Sequence, residues 1–167
     1  QFAGISLTGA TISASGTGQI QLLGRGGTVD GNNHGVRIDG GADVWSASGG
    51  VWISGVGGAG SGARNYGVLV SGSGTTVTSG GFVLVEGSGG GVGASSANNG
   101  VVVENAGTIA GTGTTSLATV TVKGFGGTEA GGSSNVGVAV THANSQITSA
   151  GGALLVEGTG GGSDTSG

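Results

Sequence analysis

The amino-acid sequence predicts an all-β chain: a right-handed parallel β-helix with about three strands per coil and five coils of about 32 residues each. Three observations predict it. Alternating aliphatics followed by glycines, as in "VLVEGSGG" from Val83, recur five times at near-constant spacing. Two further short runs of period-2 alternation precede each recurrence. No window carries the 3.6-residue period of an amphipathic helix.

The first run in each unit is a glycine followed by aliphatics at alternate positions: Gly4-Ile5-Ser6-Leu7, Gly35-Val36-Arg37-Ile38, Gly67-Val68-Leu69-Val70, Gly100-Val101-Val102-Val103 and Gly137-Val138-Ala139-Val140. The second is shorter and centres on Ile12, Val44, Val77, Ile109 and Ile147, each among small or polar residues. The third reads "IQLLGRGG" from Ile20, "VWISGVGG" from Val51, "VLVEGSGG" from Val83, "VTVKGFGG" from Val120 and "LLVEGTGG" from Leu154. Clusters of Gly, Ser, Asn and Thr separate the runs and mark turns. The chain therefore divides into units near 1–31, 32–63, 64–96, 97–133 and 134–167, all within one β-helix segment spanning 1–167.

Stacking equivalent strands about 4.8 Å apart, with side chains alternating inward and outward, gives the core columns. From the first run these are Val36 and Ile38, Val68 and Val70, Val101 and Val103, and Val138 and Val140. The third run supplies Ile20 and Leu22, Val51 and Ile53, Val83 and Val85, Val120 and Val122, and Leu154 and Val156. Five inward side chains per coil, such as Val36, Ile38, Val44, Val51 and Ile53 in the second, stabilise by roughly 8 to 15 kcal/mol at most, and only when neighbouring coils cover them. That burial opposes the entropy cost of ordering a chain with 45 glycines, which otherwise favours disorder. Gly24, Gly55, Gly87, Gly124 and Gly158 are expected to turn the corner off the third strand, where side chains clash or φ is positive.

Residues in one column should make chemical sense together. Asn33, Asn65, Asn98 and Asn135 stand two positions before the landmark glycine, with Phe2 in the first unit, and predict a hydrogen-bonded amide ladder. On the outer face, Leu23, Ser54, Glu86, Lys123 and Glu157 form a column whose last three members alternate in charge. Trp45, Trp52, Leu69, Phe82, Leu84, Val102 and Phe125 are expected to face outward. "TGTTSLAT", residues 112–119, lengthens the fourth unit and is expected to leave the stack as a loop.

Composition narrows the function. A net charge of -4 with only Arg25, Arg37, Arg64 and Lys123 basic leaves no cationic face for nucleic acid. No apolar run reaches the length of a membrane span, and Cys is absent, which removes disulfides and thiolate metal sites. His34 and His142 fall at different positions in distant coils, so neither a shared metal nor a triad is expected, and no cofactor. Asp39 and Asp43 are the one close carboxylate pair, and they read as a solvated turn around Gly40-Gly41 rather than a catalytic dyad. "GGGSDTSG" is close in composition to a calcium-binding nonapeptide, but its Asp164 does not recur and the period differs. The third-run outer column, Gln21, Trp52, Leu84, Thr121 and Leu155, lacks the threonine ladder of an ice-binding face.

Taken together over all five units, "GVxV", "xxIxS" and "VxVxGxGG" resemble the Gly/Ser/Thr/Asn/Val-rich β-strand repeats of very large bacterial surface proteins, of the filamentous-haemagglutinin-like and autotransporter-passenger type. The resemblance implies a secreted, non-enzymatic, right-handed β-helical stalk or adhesin at the cell surface, and it supplies no catalytic motif; the right hand also agrees with the rule for parallel crossovers. The expected partner is the protein itself: the segment is a window of a longer solenoid flanked by further repeats, or a filament subunit stacking end to end. The alternative is a glycan-binding or polysaccharide-degrading β-helix, with surface glycans as partner and acids and aromatics converging around Trp45, Trp52, Asp39 and Asp43.

Overall fold

The computed structural model describes residues 2–128 and 131–162. Glu129 and Asp164 lie outside the described residues, as does the part of the "GGGSDTSG" motif from Ser163 onward.

Among the described residues the chain forms fifteen strands and no helix. The first coil holds β1 (Ile5–Thr8), β2 (Thr11–Ala14) and β3 (Ile20–Arg25), and the second β4 (Val36–Asp39), β5 (Asp43–Ser46) and β6 (Val51–Val56). The third holds β7 (Val68–Ser71), β8 (Thr76–Ser79) and β9 (Val83–Ser88), and the fourth β10 (Val101–Glu104), β11 (Thr108–Gly111) and β12 (Val120–Phe125). The fifth closes with β13 (Val138–Thr141), β14 (Gln146–Ser149) and β15 (Leu154–Thr159). Every first strand pairs with the first strand of the next coil, and so for the second and third, giving three five-stranded parallel sheets. The result is a β-solenoid of about five turns with a spacing of about 32 residues, the fold class the periodicity predicts.

Register follows the aliphatic columns. Val36 pairs with Val68 and Ile38 with Val70; Val51 pairs with Val83 and Ile53 with Val85. Since alternation has a period of two, a slip of one residue would turn each inward set to solvent, so these columns hold the register. Through the second, third and fourth coils every aliphatic rung is buried, and they join one continuous core.

The fifth coil departs from the expected core. Val140, Leu154 and Val156 align with the buried columns, yet each is nearly half exposed, because no described residue covers that face of the stack.

The corner glycines depart in their role. Gly24, Gly55, Gly87, Gly124 and Gly158 lie inside the third strands, one residue before their ends, and none has positive φ. What demands glycine there is close approach of two backbones. A Cβ on Gly24, Gly55, Gly87 or Gly124 would overlap the carbonyl oxygen of Gly35, Gly67, Gly100 or Gly137, the landmark glycine that opens the next coil. At Gly158, where no further coil follows among the described residues, the nearest atom to such a Cβ is 3.1 Å away. The left-handed conformation appears instead at the turn between first and second strands, at Gly40 and Gly41 in the second coil and at Asn105 and Ala106 in the fourth.

Leu69 and Val102 correct another expectation. Both alternate outward, but they are buried with Tyr66 in a small second cluster on the outside of the first sheet. The connection 112–119 leaves the stack between β11 and β12 with Leu117 81% exposed at its surface, while Ala118 folds back and is fully buried.

Candidate functional site: the end faces of the solenoid

The end faces inherit their shape from three devices that hold each coil over the next. The first is a chain of amides at the longest connection. Asn33 donates from Nδ2 to Oδ1 of Asn65 at 3.0 Å, Asn65 to Asn98 at 3.0 Å, and Asn98 to Asn135 at 3.2 Å. The same Oδ1 atoms also accept the backbone N–H of the preceding asparagine, and Oδ1 of Asn33 accepts the N–H of Phe2. The second Nδ2 proton is used within the coil, on Val29 O by Asn33, on Gly62 O by Asn65, on Ser95 Oγ by Asn98 and on Gly132 O by Asn135. Their backbone carbonyls accept from Gly58, Gly90, Gly127 and Gly161. Buried amides cost stability unless both donors and acceptors are matched, and here the stacking itself supplies the partners.

Aiming these side chains inward requires the residue before each to adopt the left-handed conformation: Asn32, Arg64, Ala97 and Ser134 have φ of 58°, 63°, 53° and 64°. Asparagine tolerates this, whereas alanine at such φ costs about 1–2 kcal/mol. The ladder geometry therefore outweighs local strain.

The second device went unread in the sequence. Ser46, Ser79 and Ser149 point inward at the end of the second strands; Ser46 and Ser79 donate from Oγ to the preceding coil, to Gly18 O at 2.9 Å and Gly49 O at 2.7 Å, whereas Ser149 donates to Gly152 O of its own coil at 2.8 Å and lies 3.5 Å from Ala118 O of the preceding one. Each thus holds the turn into the third strand. The signal was present as Val44-x-Ser46, Val77-x-Ser79 and Ile147-x-Ser149, a column of hydroxyls at one offset. The third device is the glycine-on-glycine corner already described.

Outward polar residues are dispersed. Asp39, on the first sheet, pairs with Arg37 and accepts Thr8 Oγ1 at 2.7 Å. Asp43, on the second, accepts the hydroxyl of Thr76, and Trp45 lies two residues along the same strand. Trp52, on the third, donates from Nε1 to Glu86 at 3.1 Å, and Lys123 pairs with Glu157 at 3.0 Å. Asp39, Asp43 and Trp52 consequently sit on three different sheets. No three His, Cys, Asp or Glu side chains among the described residues gather into a metal site, and no helix among them is long and apolar enough to cross a membrane.

His34 stacks on Tyr66 with ring centroids 5.0 Å apart, and its Nδ1 is buried without a hydrogen-bond partner. Burial, reinforced by the Arg37 guanidinium, lowers its pKa to about 4, so the ring is neutral at pH 7; burial also raises the Tyr66 hydroxyl. No sequence signal marks this pair, since neither ring type repeats in its column.

At the two ends the devices stop and the sheets lie open. Among the described residues, one face presents the unpaired edges of β1, β2 and β3; the other presents β13, β14 and β15. Unpaired edges, with N–H and C=O groups outside any ladder, are templates for further strands. The second face adds apolar surface, because Val140, Leu154 and Val156 point where the next coil would stand. No protein-family model matches this chain, and neither the curated proteins nor the solved structures yielded a match.

Proposed function

We propose that the chain is a non-enzymatic structural segment of an extracellular or cell-surface fibre or adhesin stalk. Further coils, from flanking repeats of the same protein or from another copy, continue its three sheets. One observation carries this reading: the half-exposed valine and leucine rungs of the last coil belong to columns that are buried throughout the second, third and fourth coils, where a coil lies on either side. The placement outside the cell, and the right hand of the coil, rest on the resemblance to bacterial surface repeats. Stacked aliphatics and satisfied amides serve rigidity, and the segment supplies length rather than a cleft.

A glycan-binding or polysaccharide-degrading β-helix needs acids and aromatics converging on one face; Asp43 and Trp45 share a face of β5, but Asp39 and Trp52 stand on the other two sheets. The test is to image surface extracts of the producing cells for filaments labelled by an antibody to this chain, and to assay the chain on polysaccharides. Labelled filaments without cleavage are expected. Cleavage or glycan binding that disappears in Asp39→Asn with Asp43→Asn would overturn the structural reading.

A further inference from the structure

The three sides of the solenoid differ in what they show to solvent. On the first sheet the outward apolar residues Leu69 and Val102 are already buried with Tyr66. On the second, hydroxyls dominate, with Thr11 and Ser13, Thr76 and Thr78, and Thr108 turned outward. The third sheet is the apolar side. Trp52 and Leu84 stand next to each other in register on its outer face, and the ring of Phe82 lies against Gly50, two residues from Trp52, leaving no room there for a Cβ. Phe125, farther along the same face in the fourth coil, is 51% exposed. Apolar surface gathered on one side and bordered by charges is the signature of a contact surface.

Charge identifies the occupant. Glu86, Lys123 and Glu157 form one column beside the apolar residues, so the sign alternates along the solenoid axis. Lys123 is paired with Glu157 rather than with Glu86. One oxygen of Glu86 accepts Trp52 Nε1, and the other has no hydrogen-bond partner among the described residues.

We infer that this face packs against the same face of a second copy, with the two solenoid axes antiparallel and a twofold axis running along the strands between β9 and β12. Under that operation β9 faces β12 of the second copy and β6 faces its β15. Glu86 then opposes Lys123 of the second copy, and Lys123 opposes its Glu86, while Trp52 and Leu84 meet its Leu155 and Thr121. An isologous contact forms each of these pairs twice. Packed sheets stand about 10 Å apart, a gap that a glutamate and a lysine span from opposite sides.

Parallel axes mismatch the charges. A twofold axis along the solenoid sets Glu86 on Glu86 and Lys123 on Lys123 or, moved along the strand, sets them on Leu84 and Thr121. Coils of the same chain extend the rod along its axis and stay off its side, so the occupant is a separate molecule. The inference goes beyond the structural reading, because its charge pairs lie in the third and fourth coils whatever precedes the first or follows the fifth. Five strands of six residues make a face of about 24 by 20 Å, at the small end for a dimer, so association should depend on concentration.

Charge reversal tests the pairing. By sedimentation across a concentration series, the unaltered chain should form a dimer that dissociates on dilution. Glu86→Lys alone and Lys123→Glu alone each set like charges opposite one another and should weaken association roughly tenfold or more. An equimolar mixture of the two variants should recover it, and circular dichroism must show the same β signal in all three chains. Orientation is read with the charges intact, from electron-spin distances between labels on Ser15→Cys in the first coil or on Ser116→Cys in the fourth, both exposed. Antiparallel axes set the first-coil labels about 19 Å farther apart along the axis than the fourth-coil labels, whereas parallel axes give equal offsets. If a reversed chain fails to fold, these distances carry the test. Equal offsets overturn the inference, as does association that neither reversal weakens or that the mixture does not recover. An unaltered chain that stays monomeric at millimolar concentration overturns it too. None of these results touches the structural reading, which the labelled filaments test separately.

Discussion

The first and fifth coils carry the same columns, yet Ile20 and Leu22 are 7% exposed whereas Leu154 and Val156 are 46% and 47% exposed. Each of these coils has one neighbour among the described residues. Hence the difference reports the side from which a rung is covered. Parallel coils are related by a near translation, so any lean of one inward side chain is repeated in all of them. In the third sheet a rung is closed over by the coil that follows it. The two ends are therefore unequal on the third sheet, where Ile20 and Leu22 are closed over by the second coil and Leu154 and Val156 stay open; on the first and second sheets Ile5, Leu7 and Ile12 are only partly buried, like Val138 and Ile147.

Substitutions at matched positions in inner and end coils probe this directly. The largest contrast is expected at the corner. Gly87→Ala forces a Cβ into the Gly100 carbonyl and should lose about 3 kcal/mol or more in urea denaturation, while Gly158→Ala should lose less than about 1 kcal/mol. Equal losses would mean that the following coil is not the source of crowding. Next come the rungs: Ile53→Ala should cost about 3 kcal/mol and the half-exposed Val156→Ala about 1 kcal/mol, read by the same melts.

The histidine of the second coil gives a pH-dependent version. His34 is neutral and buried with its pKa lowered to about 4, so its contribution is fully present above the ordinary value of 6.5. It is lost as pH falls from there toward 4, because the unfolded chain then binds the proton and the folded chain does not. The loss amounts to at most about 3 kcal/mol from this group. Stability measured from pH 7.5 to 4 should decline in the unaltered chain and decline less in His34→Gln; parallel curves would contradict the assignment. Smallest is a gain: Ala97→Gly relieves a left-handed alanine beside the ladder and should raise stability by about 1 kcal/mol.

Much of the architecture was legible because repetition amplifies weak signals. A single "VKG" says little, but Val51, Val83, Val120 and Leu154 at one offset declare a column, and a column requires stacked, parallel strands. The asparagines were readable for the same reason. Features that occur once were not: the His34–Tyr66 stack, the cover over Leu69 and Val102, and the burial of Ala118 inside an inserted loop have no recurrence to reveal them. The serine column was repeated and could have been found, but serine also signals turns in a chain this rich in small residues.

Sequence alone determined the period, the three strands per coil, the inward and outward alternation and the register, because each depends only on which residue types recur and how far apart. Tertiary structure decided why the third-strand glycines are glycines, which outward side chains become buried, and how the two ends differ. Those outcomes depend on distances between backbones and on which coil overlies which. Neither is written in any one repeat, since identical columns behave differently once a neighbour is present on one side and missing on the other.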